Sequence, residues 1–334
     1  MKLQFFGATR QVTGSRYYLD TGKARLLIDC GMFQERDFRD RNWEPGPLRP
    51  KKLDAMLLTH AHVDHCGLVP KLVQKGFHGP IFTTSASADL VELILFDSAK
   101  IQAEDAAYKQ RRHRKENRKP KRPVEPLYTT KDVERTVRLL RPVQYEEPVE
   151  VCKGVTAVFH DAGHILGSAM IELQIRDGDR LRRVVFSGDI GQRDKPIVRD
   201  PAELTKADVI VMESTYGDRD HTTPLDDDVE TQLAEVISST VKQGGNVVIP
   251  VFAIERAQEL VFHIARLRQA GKVPEVPVFL DSPMAADATS IFREHRECFD
   301  PETWKAVTSG ESPFGFPGLT LVRSVEESKA ISER

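Results

Sequence analysis

The sequence predicts an α/β protein built from two domains. The chain has 334 residues, which exceeds the roughly 100–200 residues of a typical domain. Its first part opens with short apolar runs separated by glycine, proline and asparagine, a pattern typical of strands. After Glu213, apolar runs alternate with amphipathic helical segments, which predicts a parallel α/β unit. We therefore expect a domain boundary in the polar loop Tyr216–Pro224.

In the first part, two groups of strands flank two helices. The predicted strands are Leu3–Phe6, Ser15–Asp20, Arg25–Asp29, Asp54–Thr59, Val155–His160, Ala169–Ile175, Arg183–Ser187 and Asp208–Glu213. Apolar side chains recur at helical spacing over Ala86–Ala107, which predicts a helix, and Asp132–Leu140 predicts a shorter one.

In the second part, the predicted elements alternate between helix and strand. They are helix Asp226–Lys242, strand Asn246–Pro250, helix Glu255–Gln269, strand Val276–Leu280 and helix Met284–Cys298. No closing element is predicted in the final residues.

Composition excludes several classes of protein. With 40% hydrophobic and 29% charged residues, the chain is neither disordered nor fibrous. A net charge of −2 excludes a globally basic nucleic-acid binder, although a local basic patch stays compatible with it. No apolar run is long enough to span a membrane, and the N-terminus lacks the features of a secretory signal. The four scattered cysteines lack a CxxC pair and predict reduced thiols in a cytoplasmic protein.

One segment concentrates positive charge. Lys109–Arg122 (KQRRHRKENRKPKR) holds nine Lys or Arg residues and one Glu. Its prolines predict a loop or a frayed helix end. The segment is interpreted either as a solvated surface loop or as an arm that binds a polyphosphate ligand and releases its counterions.

The strongest chemical signal is THAHVDHCG at 59–67, directly after an apolar strand. Three imidazoles and a carboxylate within six residues form a donor set that suits zinc. On a turn between a strand and a helix, alternate residues can diverge toward two metals. His60 and His62 would face one metal, and Asp64 and His65 would face the other. A single local cluster cannot complete two zinc spheres, so further ligands are expected from elsewhere.

Two later segments offer such ligands. His164 lies in the glycine-flanked loop DAGHILGS, and Asp189 follows an apolar strand in VVFSGD, where a carboxylate can bridge two cations. Asp29 also follows an apolar strand, and we expect it to fix a ligating imidazole rather than to bind the metal itself. His160, in the strand before the His164 loop, is interpreted as structural.

In order and spacing, IDCG, THAHVDHCG, DAGHILGSA and SGDI resemble the motifs of the metallo-β-lactamase fold. The segment ESTYG at 213–217 resembles the motif that follows in the β-CASP nucleases, which include the cleavage and polyadenylation endonuclease and its prokaryotic relatives. Two later segments, PVFAIERAQEL from Pro250 and DSPMAADAT from Asp281, look like the β-CASP domain inserted in that group. The resemblance covers nearly the whole chain.

The resemblance implies a metallo-β-lactamase αββα sandwich over residues 1–217 and an inserted β-CASP α/β domain over 218–334. It implies two Zn²⁺ sites, the first held by His60, His62, His164 and Asp189 and the second by Asp64, His65 and the shared Asp189. Asp64 and Glu213 are the implied catalytic residues, with Glu213 assisting proton transfer through a partner histidine. The implied activity is hydrolysis of single-stranded RNA, as an endonuclease, a 5′-exonuclease or both.

This sequence departs from the family pattern near its end. Two further histidines of the family, one a zinc ligand and one a proton donor, have no match after Asp281. His295 lies inside a predicted helix and fits neither position. We therefore expect an incomplete second zinc site and little or no cleavage by this chain. Either the sequence is truncated at its C-terminal end, or a homo-oligomer or partner chain completes the site.

Two other functions stay open at this point. Small-ester and thioester hydrolases of the glyoxalase II kind share the HxHxDH pattern, although they do not need a large insertion to cover a polynucleotide. A catalytically impaired RNA-binding partner is the second alternative. The six intact ligands disfavour that alternative, and the two unmatched histidines favour it.

Overall fold

The computed structural model describes residues 1–44, 46–117, 119–120, 123–177, 180–219 and 226–333. Contacts divide the chain into two compact units. The first comprises Met1–Arg193 and Pro201–Glu213, and the second comprises Asp194–Asp200 and Ser214–Arg334.

Two β-sheets form the centre of the first unit. The first sheet has the order β1-β2-β3-β4-β5-β6 and the second has the order β11-β10-β9-β8-β7. The strands are β1 Lys2–Phe5, β2 Tyr17–Asp20, β3 Arg25–Ile28, β4 Ala55–Leu57, β5 Ile81–Thr84, β6 Leu140–Val143, β7 Val149–Cys152, β8 Val155–Asp161, β9 Ala169–Asp177, β10 Arg180–Phe186 and β11 Val209–Val211. Strands β3 to β6 run parallel, whereas β7 to β10 alternate in direction and β11 runs parallel to β10.

The core of this unit lies between the two sheets. Leu57 and Phe82 from the first sheet belong to the same buried cluster as Phe159 and Phe186 from the second. Met56 alternates with Leu57 and is fully buried on the opposite face of its strand. The helices of this unit are α1 Val63–Cys66, α2 Val69–Gln74, α3 Ser85–Lys115 and α4 Thr130–Val137. Helix α3 contacts strands β5 and β6 of the first sheet, and α4 contacts α2 and α3.

The second unit combines helices with a short parallel pair of strands. Its elements are α5 Asp226–Lys242, α6 Arg256–Gln269, β12 Val278–Asp281, α7 Pro283–Glu294, α8 Pro301–Thr308, β13 Leu319–Val322 and α9 Val325–Ile331. Strands β12 and β13 pair in parallel, as the strand–helix alternation predicts. Ile237 on α5 packs with Ile264 and Leu267 on α6 in an apolar core.

Several predicted elements are wrong. The helix predicted to end at Ala107 continues to Lys115, so the first half of the basic segment is the end of a helix, one of its two predicted forms, and not a loop. Lysine, glutamine and arginine are good helix formers, and cations are favourable at a helix C-terminus. Residues 246–250 form no strand, and Val248 is 87% exposed there. An apolar run becomes a strand only where a neighbour satisfies its backbone hydrogen bonds.

The end of the described chain also differs from expectation. The sequence predicts no closing element, yet β13 pairs with β12 and α9 follows it. A reciprocal pair of side-chain-to-backbone hydrogen bonds between Ser324 and Glu327 begins α9. All four cysteines are free thiols, and Cys30, Cys66 and Cys298 are buried. Among the described residues, no helix is both long enough and apolar enough to cross a bilayer.

Candidate metal centre

The ends of four strands bring the predicted ligands together in the first unit. Asp29 follows β3 and His60 lies shortly after the neighbouring parallel strand β4. In the second sheet, β8 and β10 share a direction because both pair antiparallel with β9. His164 follows β8 and Asp189 follows β10. Strands of the same direction end at the same edge of a sheet, which is where functional side chains collect in such folds.

Four of the predicted ligands form a tight cluster. The ligand atoms of His60, His62, His164 and Asp189 all lie within 4.8 Å of one another. Nδ1 of His62 lies 3.1 Å from Nε2 of His60 and 3.2 Å from Nε2 of His164. The Oδ2 atom of Asp189 lies 3.8 Å from Nε2 of His60 and 3.6 Å from Nε2 of His164. Three ring nitrogens and a carboxylate oxygen therefore converge on one point.

Asp64 and His65 form a second group beside this cluster. Nε2 of His65 lies 3.1 Å from Oδ1 of Asp189 and 3.9 Å from Oδ2 of Asp64. The Ser15 hydroxyl lies 3.3 Å from the same ring nitrogen. Asp189 thus offers one carboxylate oxygen to each group, which is the geometry expected of a bridging carboxylate.

The buried carboxylate of Asp29 orients both groups. It accepts hydrogen bonds from the Thr59 backbone N–H at 2.8 Å, from the Thr59 hydroxyl at 2.8 Å and from Nδ1 of His65 at 2.8 Å. The Thr59 hydroxyl also lies 3.0 Å from Nδ1 of His60. Since the hydroxyl proton points to Asp29, the His60 Nδ1–H donates to the hydroxyl oxygen. In the neutral form of either ring, Nε2 of His60 or His65 is then left with a lone pair for a metal.

Backbone contacts fix the loop that carries His164. The Ser168 hydroxyl accepts the backbone N–H groups of His164 at 3.0 Å and Ile165 at 3.2 Å. The Gly191 N–H donates to the Ala162 carbonyl at 2.8 Å. A Cβ at Gly191 would lie 1.6 Å from the Gly163 carbonyl oxygen, so only glycine fits there. The loop after β10 is consequently packed directly against the loop that holds His164.

Burial and charge set the protonation of these groups. Burial lowers the pKa of His60 well below its ordinary value, and the neighbouring histidines lower it further. Burial also lowers the pKa of His62. Burial opposes the charge on His65, yet the carboxylates of Asp29 and Asp189 raise its pKa well above the usual range. For Asp189, burial raises the pKa, but the hydrogen bond and charge of His65 outweigh it and lower the pKa to about 2.

The remaining predicted residues lie near the cluster or away from it. The Glu213 carboxylate accepts the backbone N–H of Ile190 at 3.3 Å, next to Asp189 in the chain. Its own backbone N–H donates to the Ser187 hydroxyl at 3.1 Å. His160 lies on β8 with Nδ1 2.8 Å from a carboxylate oxygen of Glu146, outside the cluster. That position agrees with its structural interpretation.

The sequence alone indicates no role for Thr59, Ser168 and Gly191. Thr59 and Ser168 are quoted within motifs, but a hydroxyl that orients a ligand has the same sequence signal as any surface hydroxyl. A close approach between two loops requires glycine at position 191, and no local sequence pattern reveals that approach. Only the fold shows that these three residues hold the ligands in place.

The donor set fits a metal ion. Neutral imidazoles and a carboxylate are ligands that divalent transition metals prefer. The lowered pKa of His60 and of His62 keeps both rings neutral and able to ligate at neutral pH. The second ring nitrogen of His60 is held by Thr59 and that of His65 by Asp29, as is common for metal-bound histidines. The site can therefore hold at least one metal ion.

Comparison with known proteins gives the same fold. Residues 10–240 match the sequence model of the metallo-beta-lactamase superfamily, and residues 257–334 match that of the Beta-Casp domain. The chain is 37% identical to Ribonuclease TTHA0252 of Thermus thermophilus, over 99% of this chain and 70% of that protein. It is 33% identical to Transcription termination factor FttA of Methanosarcina mazei, over 94% of this chain and 47% of that protein.

A third relative is the RNase J-like protein of Methanocaldococcus jannaschii. It is 30% identical over 94% of this chain and 66% of that protein. The chain spans about half the length of the archaeal termination factors that it matches. The predicted fold class and family are confirmed by these matches: the chain belongs to the metallo-β-lactamase superfamily and, within it, to the β-CASP group of RNA nucleases.

Proposed function

We propose that this chain is a zinc-dependent ribonuclease that hydrolyses phosphodiester bonds of single-stranded RNA. The observation that carries the proposal is the convergence of His60, His62, His164 and Asp189 within 4.8 Å. Three histidines and one carboxylate match the ligand preference of zinc better than that of magnesium or calcium, which favour oxygen ligands. Family membership adds the reaction class, since Ribonuclease TTHA0252 and the RNase J-like protein are named for cleavage of RNA.

In this proposal the first metal site consists of His60, His62, His164 and Asp189. When bound, zinc supplies Lewis acidity, which offsets negative charge on phosphoryl oxygens and makes a bound water more acidic. The protein positions the ligands before the metal arrives, because Thr59 and Ser168 hold His60 and the His164 loop by hydrogen bonds. Preorganised ligands of this kind cost no rearrangement during the reaction.

The second site would use Asp64, His65 and the other oxygen of Asp189. In the first unit, Nε2 of His65 lies 3.1 Å from Oδ1 of Asp189 and 3.9 Å from Oδ2 of Asp64. The family pattern implies a further ligand C-terminal to Asp281, and we propose that such a segment or another chain supplies it. The cleavage assays below therefore add the C-terminal segment of a related nuclease to every variant alike. Glu213 would assist proton transfer, and its place beside Ile190 supports a position near the reacting groups.

The proposal also covers the domain limits and the cellular location. We assign residues 1–217 to the metallo-β-lactamase domain and 218–334 to the β-CASP domain. A cytoplasmic location is supported by the four free thiols, because unpaired cysteines persist in reducing compartments.

The test compares His62→Ala with His160→Ala. Nδ1 of His62 lies at the centre of the ring cluster, whereas His160 contacts Glu146 outside it. We expect the His62 variant to lose the zinc of the first site, measured by elemental analysis after reconstitution and desalting, and to lose cleavage of labelled single-stranded RNA. The His160 variant should keep both. An unchanged zinc content in the His62 variant would contradict the proposed site.

The same preparations separate the RNA nuclease from a small-ester hydrolase. The ribonuclease should cleave RNA and the activated phosphodiester bis(p-nitrophenyl) phosphate, and it should leave S-lactoylglutathione intact. Turnover of the thioester without cleavage of either phosphodiester would favour the glyoxalase II-like alternative.

A further inference from the structure

The C-terminal part of helix α3 extends beyond the packed region of the first unit. Positions on α3 are repeatedly buried as far as Ala99, and the last buried position is Ala106. From Tyr108 to Lys115 every residue except His113 is exposed. Five of these eight residues are cations: Lys109, Arg111, Arg112, Arg114 and Lys115.

The helical period aligns four of these residues on one face. Tyr108, Arg111, Arg112 and Lys115 occupy positions i, i+3, i+4 and i+7, which lie in one stripe along a helix. At 1.5 Å per residue, the stripe is about 10 Å long. We call these four residues the basic stripe. Its one aromatic ring, that of Tyr108, is 57% exposed.

The opposite side of the helix is the one that packs. Gln102 accepts the backbone N–H of Leu127 at 2.9 Å, and Gln110 donates to the Val124 carbonyl at 2.6 Å. On a helical projection, Gln110 lies about 160° or more from Tyr108 and Arg112. The returning chain is therefore fastened to the far side of α3, which leaves the basic stripe facing solvent.

Acidic side chains neutralise only part of this charge. Arg112 pairs with Glu116 at 2.8 Å, and Lys109 lies 4.0 Å from Asp105. Within the described ranges, no carboxylate lies within ion-pair distance of Arg111 or Lys115. Exposed pairs such as Arg112–Glu116 contribute little stability, so a polyanion can displace the glutamate at small cost.

We propose that the basic stripe binds the backbone of single-stranded RNA, with Tyr108 as a stacking surface for one base. This inference rests on the proposed function and adds a substrate contact outside the metal centre. Cations that follow a phosphate backbone, combined with an exposed aromatic ring, are the features of sequence-independent single-strand binding. An anionic membrane is the less suitable partner, because interfacial helices need an apolar face and the stripe carries a single aromatic ring.

The test measures affinity for a fluorescent single-stranded RNA 20-mer in chelator, where cleavage is blocked, across a range of salt concentrations. Neutralising Arg111, Arg112 and Lys115 together to glutamine should flatten the slope of log affinity against log salt by about 2, since each lost phosphate contact on a single strand reduces the slope by about 0.7. The matched control neutralises three exposed lysines elsewhere in the first unit, Lys23, Lys153 and Lys206. Its slope should stay close to that of the unchanged chain.

Tyr108 is tested by a pair of variants. Tyr108→Ala should weaken RNA binding by about fivefold or more, as expected for loss of one stacked base. Tyr108→Phe keeps the ring and should keep the affinity. Equal affinity of the alanine variant and the unchanged chain would overturn the stacking role.

Three outcomes separate this inference from the proposed function. With zinc added, all stripe variants should hydrolyse bis(p-nitrophenyl) phosphate at the unchanged rate, because that substrate is too small to reach the stripe. If neither the unchanged chain nor the chain supplied with the C-terminal segment of a related nuclease hydrolyses it, the proposed function fails, while the salt slopes still test the stripe. Equal slopes for the stripe variant and the lysine control would overturn the inference. Stripe-dependent binding to phosphatidylserine vesicles, with no stripe-dependent binding to RNA, would also overturn it.

Discussion

The ring of His65 donates a hydrogen bond from Nδ1 to Oδ2 of Asp29 at 2.8 Å, and both side chains are buried. The same carboxylate oxygen accepts the Thr59 hydroxyl, whose oxygen faces Nδ1 of His60. A single buried carboxylate therefore sets the ring orientation of one histidine in each metal group. We therefore propose that Asp29 supports metal binding although it faces neither proposed metal position.

Replacing Asp29 with Asn should weaken the second metal site selectively. The Asn amide can place its N–H₂ toward Nδ1 of His65, which favours the tautomer with the proton on Nε2 and removes the lone pair that faces Asp189. Loss of such a supporting partner typically costs about 10–100-fold in metal affinity. Zinc titration followed by competition with a chromophoric chelator measures the effect. Asp54→Asn is the control, because that carboxylate accepts the Arg25 backbone N–H far from the histidines. Equal zinc affinity in both variants would contradict this role for Asp29.

The metal-free chain should be most stable near pH 6.5. Burial lowers the pKa of His60 and of His62 below about 6.5, so the unfolded chain binds more protons than the folded chain below that pH. Stability consequently falls as the pH drops from 6.5. For His65 the sign is opposite. Burial disfavours the charged form of His65, yet the carboxylates of Asp29 and Asp189 raise its pKa. The stabilisation of the folded chain by protonated His65 is therefore fully present below a pH of about 6.5, and it is lost as the pH rises through the raised pKa.

Urea denaturation in chelator at several pH values measures this dependence. The fall in stability above pH 6.5 should be smaller in Asp29→Asn, because the asparagine no longer stabilises the charged form of His65. A variant with the same decline at high pH as the unchanged chain would show that another group causes it.

The convergence of the proposed ligand residues could be predicted from the sequence because they cluster in short motifs at strand ends. His60, His62, His164 and Asp189 each follow or end an apolar run, and strands of one direction deliver their ends to one edge. The supporting residues were not predictable in the same way. Thr59 acts through a proton shared with Asp29, and Gly191 acts through its contact with Gly163, so both roles exist only once distant segments have folded together.

Element type was harder to predict where tertiary context decides. Residues 246–250 carry the apolar pattern of a strand but form no strand with any neighbour among the described residues. In α3 the apolar periodicity ends near Ala107, while the helix continues to Lys115 on the propensity of its charged residues. Apolar periodicity indicates which residues of a helix pack against a core. It gives no information on a helix that extends into solvent.

Replacing Gly191 with Ala should disturb the metal site without altering a ligand. The new Cβ would lie 1.6 Å from the Gly163 carbonyl oxygen and 2.7 Å from the His164 backbone nitrogen. The loop that carries His164 must move, and small displacements of ligands weaken metal binding. Zinc content and RNA cleavage should both fall. Gly245→Ala is the control, because its Cβ would meet only Thr240 in the second unit. Full zinc content in Gly191→Ala would show that the two loops tolerate the overlap.

Replacing Glu213 with Gln separates a proton-transfer role from an anchoring role. The carboxylate accepts the Ile190 N–H at 3.3 Å, and an amide oxygen can accept the same hydrogen bond. The variant therefore keeps the anchor of the loop after β10 but cannot carry a negative charge or exchange a proton. If Glu213 takes part in proton transfer, RNA cleavage should fall by about 10²–10⁴-fold, the usual contribution of a general acid–base group. Zinc content should stay unchanged, since Asp189 remains in place.

Glu203→Gln, which removes a surface ion pair with Arg193, should leave cleavage at the normal rate. Normal cleavage by Glu213→Gln would assign Glu213 to loop anchoring alone, and the proton-transfer role would then have to come from another group.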